Sequence, residues 1–181
     1  MCVKDLWLSI LLPRFIFKSL AGVITVLMLL WYIFQDVSFV WVNESDHLKI
    51  VVGRKDGNLY QAFVLAYNIL NEINGHIKFE RDDDQFGNLS VSPSMVGTGL
   101  KASVRLKLPF LGQEPLFRDQ ICSQHGLACE EAITNSDDQI DNFFELSNKH
   151  TYGLTEIEIL QEVYKGSREI INIEKRYKDP L

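Results

Sequence analysis

The sequence predicts an α/β domain behind a single N-terminal transmembrane helix. Its 181 residues are 46% hydrophobic, an ordinary value for one globular domain, but much of that apolarity lies within the first forty residues. The rest of the chain carries strand and helix patterns in alternation. We therefore expect one membrane-spanning segment and one modest hydrophobic core.

The membrane segment is predicted from "SLAGVITVLMLLWYIF", residues 19–34, which contains no charge. Sixteen helical residues cover about 24 Å, and an extension to residue 42 supplies the rest of the roughly 30 Å of a bilayer core. Lys4, Arg14 and Lys18 precede the segment, so the positive-inside rule places the N-terminus in the cytoplasm. We expect a basic cytoplasmic lead (1–18), a signal-anchor in the inner (plasma) membrane (19–42) and an extracytoplasmic α/β domain (43–181).

Two alternatives for the apolar segment stay open. A cleaved signal peptide needs small residues at a cleavage site, whereas the "FQDVSFVWV" that follows is bulky. A buried core helix needs no membrane at all. The anchor agrees best with the bulky flank and with basic residues on one side only.

The chain is acidic, with 18 basic and 24 acidic residues and a formal net charge of −6. The first 42 residues hold three of the basic and two of the acidic residues, so the remainder is the more acidic part. An acidic domain is a poor partner for nucleic acid or for anionic lipid. We therefore expect no nucleic acid among its partners.

A strand–helix–strand pattern opens the domain. "LKIVVG" at 48–53 is rich in β-branched residues and predicts a buried strand. Apolar residues then recur at spacings of three and four from Leu59 to Ile73, and Gly75 suits the end of that helix. "HIKFE" at 76–80 predicts a second strand. Two strands joined by a helix in this way are expected to pair in parallel.

The second half predicts one strand and several helices. "KASVRLKLPF" at 101–110 alternates and predicts a half-buried strand. "DQICSQHGLACEEAI" at 119–133 predicts a helix broken at its glycine, and "DDQIDNFFELSNK" at 137–149 predicts a short amphipathic helix. The last segment predicts one or two helices, with Thr155 and Glu158 spaced as a capping box.

The turn after the first strand carries the candidate binding residues. In α/β units this turn faces the crevice where ligands bind. Gly53 and Gly57 let the backbone turn tightly, the free amides of the next helix suit a carboxylate, and Tyr60 offers a hydroxyl and a ring face. The simpler alternative is a solvated loop.

The order of these segments resembles the TAXI family, the extracytoplasmic solute-binding proteins associated with TRAP transporters, in its membrane-anchored members. The matching residues are Gly53, Gly57 and Tyr60 in "IVVGRKDGNLYQAF", Asn88 and Leu89 in "RDDDQFGNL", and Glu114, Pro115 and Leu116 in "LKLPFLGQEPLF". The family's Gly-Ser pair is replaced by Asp84 and Gln85. No second lobe aligns after Pro115.

The resemblance implies an incomplete periplasmic-binding-protein-like (type II) lobe that acts as the receptor of a TRAP-type transporter. Its implied partners are a small organic anion or amino acid, the membrane and a transporter membrane subunit, with no cofactor and no enzymatic activity. The implied ligand-binding residues are Gly53, Gly57, Asn58, Tyr60 and Asn88. The alternative is a non-catalytic structural or interaction subunit of a membrane complex, which the missing lobe favours.

Two cysteines, Cys122 and Cys129, flank a histidine and a glycine in "CSQHGLAC". In an unbroken helix their α-carbons would lie about 10 Å apart, too far for a bridge, so a disulfide requires the break at Gly126. A disulfide and a pair of free buried thiols are equal alternatives. A metal site is the least favoured of the three alternatives, since the spacing of the two cysteines and the histidine matches no standard zinc pattern. No catalytic residue is predicted, because no nucleophile motif stands out.

Overall fold

A six-stranded antiparallel sheet forms the centre of the molecule, and helices pack on one of its faces. The computed structural model describes residues 3–12, 38–42, 48–76, 86–90, 92–132 and 142–178. The strands are β1 (Val3–Leu12), β2 (Ser38–Val42), β3 (Leu48–Arg54), β4 (Leu100–Lys107), β5 (Leu127–Glu131) and β6 (Phe143–Asn148). They lie side by side in the order β2-β3-β1-β4-β6-β5.

Three α-helices complete the described part of the fold: α1 (Leu59–His76), α2 (Pro115–Gln124) and α3 (Glu156–Lys178). Short 3-10 helices occur at Pro93–Met95 and Leu111–Gln113. Side chains of a strand alternate between the two faces of a sheet. One alternating set packs with the helices in a single core: Leu48, Ile50 and Val52 of β3, Leu100, Ala102, Val104 and Leu106 of β4, Phe144 and Leu146 of β6, Ala62, Ala66, Ile69 and Ile73 of α1, Ile121 of α2, and Ile159, Val163 and Ile170 of α3.

The buried side chain of Asn148 joins β4 to β6 where their own pairing stops. Its Oδ1 accepts a hydrogen bond from Ala102 N at 2.8 Å, and its Nδ2 donates to the carbonyl oxygens of Leu100 and His150, at 3.0 Å each. The amide thus satisfies backbone groups that the strand ladder leaves unpaired. This keeps the start of β4 in register with the end of β6.

A tight contact holds the loop before β4 against the turn after β6. Thr98 N donates to Thr151 O at 3.0 Å, and Thr151 Oγ1 lies 2.9 Å from Ser94 O and 2.8 Å from Val96 O. Between these residues Gly97 adopts φ 107°, and a Cβ atom placed there would lie 2.4 Å from Thr151 O. Only glycine fits this position without displacing backbone.

We expect Gly97→Ala to lower the free energy of unfolding by about 2 kcal/mol, because it combines a strained φ with a backbone clash. The matched control is Gly75→Ala, since Gly75 lies in α1 and a Cβ there meets no atom within 4 Å. That control should leave stability unchanged or raise it by up to about 1 kcal/mol. Urea unfolding followed by circular dichroism compares the two. Equal midpoints for both variants would contradict the tight contact.

The predicted type II lobe is wrong. It required the strand at 48–53 to pair in parallel, but β3 pairs antiparallel with both β1 and β2. Residues 77–80 of the predicted second strand lie outside the described residues. The helix predicted at 119–133 is confirmed only before its glycine, where it belongs to α2, since β5 occupies the second half, and the segment predicted as a helix at 137–149 contains strand β6. Phe144 and Leu146 face the helices while Glu145 lies on the other face, which is the two-residue period of a strand.

The transmembrane helix of the predicted fold class is wrong as well. Residues 3–12 form a central strand and residues 38–42 an edge strand, and both pair with β3. A single-pass span between them would place two strands of one sheet on opposite sides of a bilayer. Within the described ranges, no helix combines the length and apolarity needed to cross a membrane. Residues 13–37, most of the predicted anchor, lie outside those ranges, and the domain boundaries at 18 and 42 stay predictions.

Other sequence expectations agree with the structure. The strand at 48–53 corresponds to β3, and the alternating segment at 101–110 corresponds to β4. The capping box forms at the start of α3: Glu158 N donates to Thr155 Oγ1 at 3.3 Å, and Thr155 N donates to Glu158 Oε2 at 2.8 Å. Thr155 Oγ1 also donates to Glu158 Oε2, at 2.9 Å, and the two bonds that Thr155 N and Oγ1 donate to this carboxylate hold the pKa of Glu158 below its usual value.

Candidate active site

The strand side chains that point away from the core helices form what we call the second face. Among the side chains that the structure describes on the other five strands, β2 to β6, they are Phe39 and Trp41 of β2, Lys49 and Val51 of β3, Lys101, Ser103, Arg105 and Lys107 of β4, Ala128 and Glu130 of β5, and Phe143, Glu145 and Ser147 of β6. All three described helices contribute to the core on the opposite face. The described helices therefore leave the second face to other contacts, and Trp41, Lys101, Lys107 and Glu130 are exposed on it, whereas Val51, Ser103 and Ser147 are buried.

A row of cations runs along β4 on this face. Lys101 and Lys107 are exposed, and Arg105 between them is half-buried. Lys49 of β3 adds a fourth cation, half-buried, with the backbone of β1 paired between β3 and β4. Four cations among the described side chains of one face stand out in a chain whose net charge is −6. A concentration of this kind attracts polyanions.

Two carboxylates border the cationic row on the side of β5. Arg105 Nη2 lies 3.9 Å from Glu145 Oε2, and the two residues sit directly opposite each other on β4 and β6. Glu130 of β5 lies opposite Glu145 on the next strand. Both partners of the Arg105–Glu145 pair remain partly exposed, so the pair adds little to the stability of the fold. The second face thus has a cationic centre and an acidic margin.

Aromatic rings lie at both ends of the cationic centre. Trp41, with 51% of its surface exposed, meets Phe39 edge-on at a centroid distance of 5.5 Å. Lys49 Nζ lies 5.8 Å from the Trp41 ring, and Lys107 Nζ lies 5.3 Å from the Phe143 ring. Rings beside cations are the usual platform for a base or another flat, electron-rich group.

The structure brings only some of the predicted ligand-binding residues together. Gly57, Asn58 and Tyr60 line a groove of about 700 Å³ between the first turns of α1 and α3, with Ile157 and Tyr164 on the far side. Gly53 is not part of that turn, because it lies inside β3, buried and opposite Trp7 of β1. Asn88 lines a separate cavity of about 450 Å³ at the start of α3. Ligand binding by these residues stays a prediction.

The turn at 54–58 uses its own side chains to satisfy the amides that were expected to take a carboxylate. Arg54 Nη2 donates to Asp56 Oδ2 at 2.6 Å, and Asn58 N donates to Asp56 Oδ1 at 3.0 Å. Asn58 Oδ1 in turn accepts from Gln61 N at 3.1 Å and caps α1. An incoming anion would therefore compete with Asp56.

We expect the Asp56 carboxyl to titrate at a pKa of about 2, because its hydrogen bonds with the Arg54 guanidinium and Asn58 N favour the ionised form. The pKa of Asp56 in the folded state lies below its ordinary value of 3.8. The ionised carboxylate therefore contributes to stability above pH 3.8, and this contribution is lost as the pH falls towards 2. Carboxyl-carbon NMR shifts follow the titration. In Arg54→Ala the pKa should return towards its ordinary value. An unchanged pKa in that variant would refute the assignment.

The two cysteines meet on the core side of the sheet rather than on the second face. Cys122 of α2 is buried, Cys129 of β5 is half-buried, and both are free thiols. Their predicted disulfide stays a prediction. No group of three or more potential metal ligands occurs among the residues that the structure describes.

The cations of the second face were missed by the sequence predictions. The alternation in "KASVRLKLPF" placed a strand correctly, but its polar side was treated as solvent-facing surface. The usable signal was the type of polar residue: Lys101, Arg105 and Lys107 share one face of a single strand, with no carboxylate among them.

Comparisons with known proteins identify similar sequences and folds. The family model described as ATP:guanido phosphotransferase, C-terminal catalytic domain, matches residues 13–177. The arginine kinase of Liolophura japonica is 35% identical over 136 residues, covering 75% of this chain and 38% of that protein. The taurocyamine kinase of Schistosoma mansoni is 32% identical over 140 residues, covering 77% of this chain and 18% of that protein. The chain thus spans less than half the length of these curated relatives.

Solved structures share the fold. The duplicated taurocyamine kinase of Schistosoma mansoni, with bound transition state analog components, has a TM-score of 0.80 at 20% identity, covering 99% of this chain and 34% of that chain. A lombricine kinase has a TM-score of 0.74 at 17% identity, covering 98% and 67%. The antiparallel sheet with helices on one face is therefore the fold of these kinases.

These findings overturn the resemblance to the TAXI family, since the matched family model includes the strand and helix on which that resemblance rested. The receptor function, the anionic solute, the transporter partner and the structural-subunit alternative are wrong with it. The predicted membrane location is also wrong, because it depended on the anchor and on the receptor family. The expectation of a non-enzyme is wrong too, since the matched model is a catalytic domain and the relatives are kinases.

Proposed function

Because the chain belongs to the ATP:guanido phosphotransferase family, whose C-terminal catalytic domain matches residues 13–177, we propose that its second face binds ATP for phosphoryl transfer to a guanidino compound. The observation that carries this proposal is the row of cations along β4, with Lys49 on β3. The substrate class is proposed by analogy with the relatives, which are arginine and taurocyamine kinases.

Phosphoryl transfer asks mainly for electrostatics and positioning. Negative charge spreads over the oxygens of the transferred group, so cations placed in advance stabilise the transition state. Lys101 and Lys107 supply compact point charges near solvent, where the phosphate chain can reach them. Arg105, which lies 3.9 Å from Glu145, supplies a planar fork that suits two phosphate oxygens at once.

The acidic margin suits the other substrate. A guanidino group is a planar cation, and a carboxylate is its natural partner in a bidentate pair. Glu130 and Glu145 lie opposite each other on the β5 side of the cationic row. A guanidino compound held there would lie next to phosphates held by Arg105 on β4. We therefore assign the cationic centre to ATP and the acidic margin to the guanidino substrate.

Direct binding of ATP to the purified chain tests the proposal. We expect calorimetric titration to give saturable binding that weakens as salt is raised, because much of the attraction is between phosphates and exposed cations. Phosphoryl transfer is then measured with arginine and with taurocyamine as acceptors. In Glu130→Gln the Michaelis constant for the acceptor should rise while the affinity for ATP is kept. An absence of ATP binding at millimolar concentration would refute the proposal.

A further inference from the structure

We propose that Cys122 and Cys129 form a redox modification site, which a hydroperoxide closes into an intramolecular disulfide between α2 and β5. The two thiols are free, and both pack in the core on the side of the sheet where α2 lies against β5. They lie outside the second face that we assign to catalysis. The dithiol is therefore free to respond to oxidants without taking part in phosphoryl transfer.

The chain reversal between α2 and β5 makes the contact between the two thiols. His125 N donates to Cys122 O at 3.1 Å, which ends the helix, and Gly126 follows with φ 66°. Strand β5 then runs back along α2. Cys129 pairs with Leu146 of β6, whose side chain belongs to the core, so the Cys129 thiol points towards the helix. The two cysteines are therefore not in one continuous helix, and the α-carbon distance that would prevent a disulfide there does not apply.

The surroundings divide the roles of the two sulfurs. The neighbouring Cys129 thiol lowers the pKa of Cys122, and the guanidinium of Arg118 acts in the same direction, although burial and Asp119 oppose it. The Cys122 thiol and burial raise the pKa of Cys129. Arg118 lies one turn before Cys122 on the same buried face of α2, so Cys122 is the sulfur that becomes the nucleophilic thiolate, and Cys129 keeps its proton.

The reaction balances with one hydroperoxide. The Cys122 thiolate attacks one peroxide oxygen, the O–O bond breaks, and hydroxide or alkoxide leaves while the sulfur becomes a sulfenic acid. The Cys129 sulfur then attacks the Cys122 sulfur and forms the S–S bond. The departing hydroxyl takes the Cys129 proton and leaves as water. Two thiols lose two electrons in total, and the peroxide gains them.

Burial selects this product over a mixed disulfide. Cys122 has only 1% of its surface exposed, so a small peroxide reaches it through local opening far more readily than a bulky thiol compound does. A resolving thiol already in contact then captures the sulfenic acid before further oxidation. We expect an internal disulfide rather than a glutathione adduct.

The disulfide has a consequence for the second face that rests on the proposed function. Cys129 precedes Glu130, and Glu130 faces Glu145, the partner of Arg105. A covalent bond holds two sulfurs closer than packing of two free thiols does, so oxidation draws β5 towards α2. We expect the oxidised chain to bind the guanidino substrate more weakly than the reduced chain.

The test treats the 181-residue chain and its Cys2→Ser variant with hydrogen peroxide, then alkylates under denaturing conditions and measures peptide masses. Trypsin cleaves after Arg118 and next after Lys149, so both cysteines fall in one peptide. We expect that peptide to carry no alkyl group on either cysteine. Its mass should be two hydrogen atoms below that of the reduced peptide without alkyl groups. Two alkylated cysteines after excess peroxide, or a bridge through Cys2, would overturn the proposal.

A variant separates the two steps of the reaction. In Cys129→Ser the sulfenic acid at Cys122 has no resolving thiol, so dimedone should label it; an unlabelled Cys122 in this variant would overturn the assigned roles. The mass readout does not depend on catalysis. A chain that forms the disulfide but never binds ATP would support this inference and refute the proposed function.

Discussion

Glu174→Ala is expected to lower the free energy of unfolding by about 3 kcal/mol. Glu174 is 3% exposed near the end of α3. Its Oε1 accepts a hydrogen bond from Phe110 N and its Oε2 one from Leu111 N, both at 2.9 Å. Removing the carboxylate leaves two backbone N–H groups without partners where β4 turns towards α2. Urea unfolding followed by circular dichroism measures the loss.

Two variants show whether these hydrogen bonds cause the effect. Glu174→Gln keeps one acceptor oxygen and the side-chain volume, so its loss of stability should be smaller than that of Glu174→Ala. Lys175→Ala changes the next residue, which is exposed, and should stay within about 0.5 kcal/mol of the unmodified chain. A Glu174→Ala variant no less stable than Lys175→Ala would show that the buried carboxylate contributes nothing.

Arg105→Met is expected to weaken ATP binding by about tenfold or more, since it removes the one fork-shaped cation from the centre of the second face. Arg105→Lys keeps the charge without the fork and should lose less. Lys165→Met serves as the control, because Lys165 is exposed on α3, away from the second face. Calorimetric titration with ATP gives the dissociation constants, and urea unfolding confirms that each variant is folded.

The three variants separate site-specific recognition from general attraction. If the cationic row binds phosphate, Arg105→Met is the weakest binder and Lys165→Met is indistinguishable from the unmodified chain. Equal losses in Arg105→Met and Lys165→Met would mean that ATP responds only to the overall charge of the chain.

The sequence correctly predicted elements that are determined by residues close together in the chain. The alternation of "KASVRLKLPF" predicted β4, and the capping box of Thr155 and Glu158 marked the start of α3. The two-residue period of "FFELSN" was present as well, but the polar residues before it favoured an amphipathic helix. The Gly126 break was taken as an interruption of one helix, whereas it separates α2 from β5.

The sequence patterns could not predict which strands, distant along the chain, pair with each other. Strand β1 lies between β3 and β4, which are far from it along the chain, and no spacing rule encodes such neighbours. Its alternation of Leu6, Leu8 and Ile10 with Asp5 and Ser9 was a usable strand signal. It was obscured by the longer uncharged run that follows, because the membrane prediction weighed apolarity over periodicity.

The candidate site could not be predicted from local patterns either, because its position depends on tertiary packing. Alternation shows that Lys101, Arg105 and Lys107 share one side of β4, but not which side the helices cover. The packing of α1 and α3 determines which side is covered, since both helices pack on the side of Ala102 and Val104. The glycine turn, in contrast, had recognisable ligand-binding chemistry in its sequence, and the structure shows Asp56 already bonded to its amide.

An ATP titration of the isotope-labelled chain, followed by amide NMR shifts, tests the central claim most directly. The account predicts that the largest shifts fall on β4 from Lys101 to Lys107 and at Lys49, while the groove at Gly57 and Tyr60 stays unchanged. Shifts centred on Tyr60 and Tyr164, or no shifts at saturating ATP, would contradict the assignment of the second face as the nucleotide site.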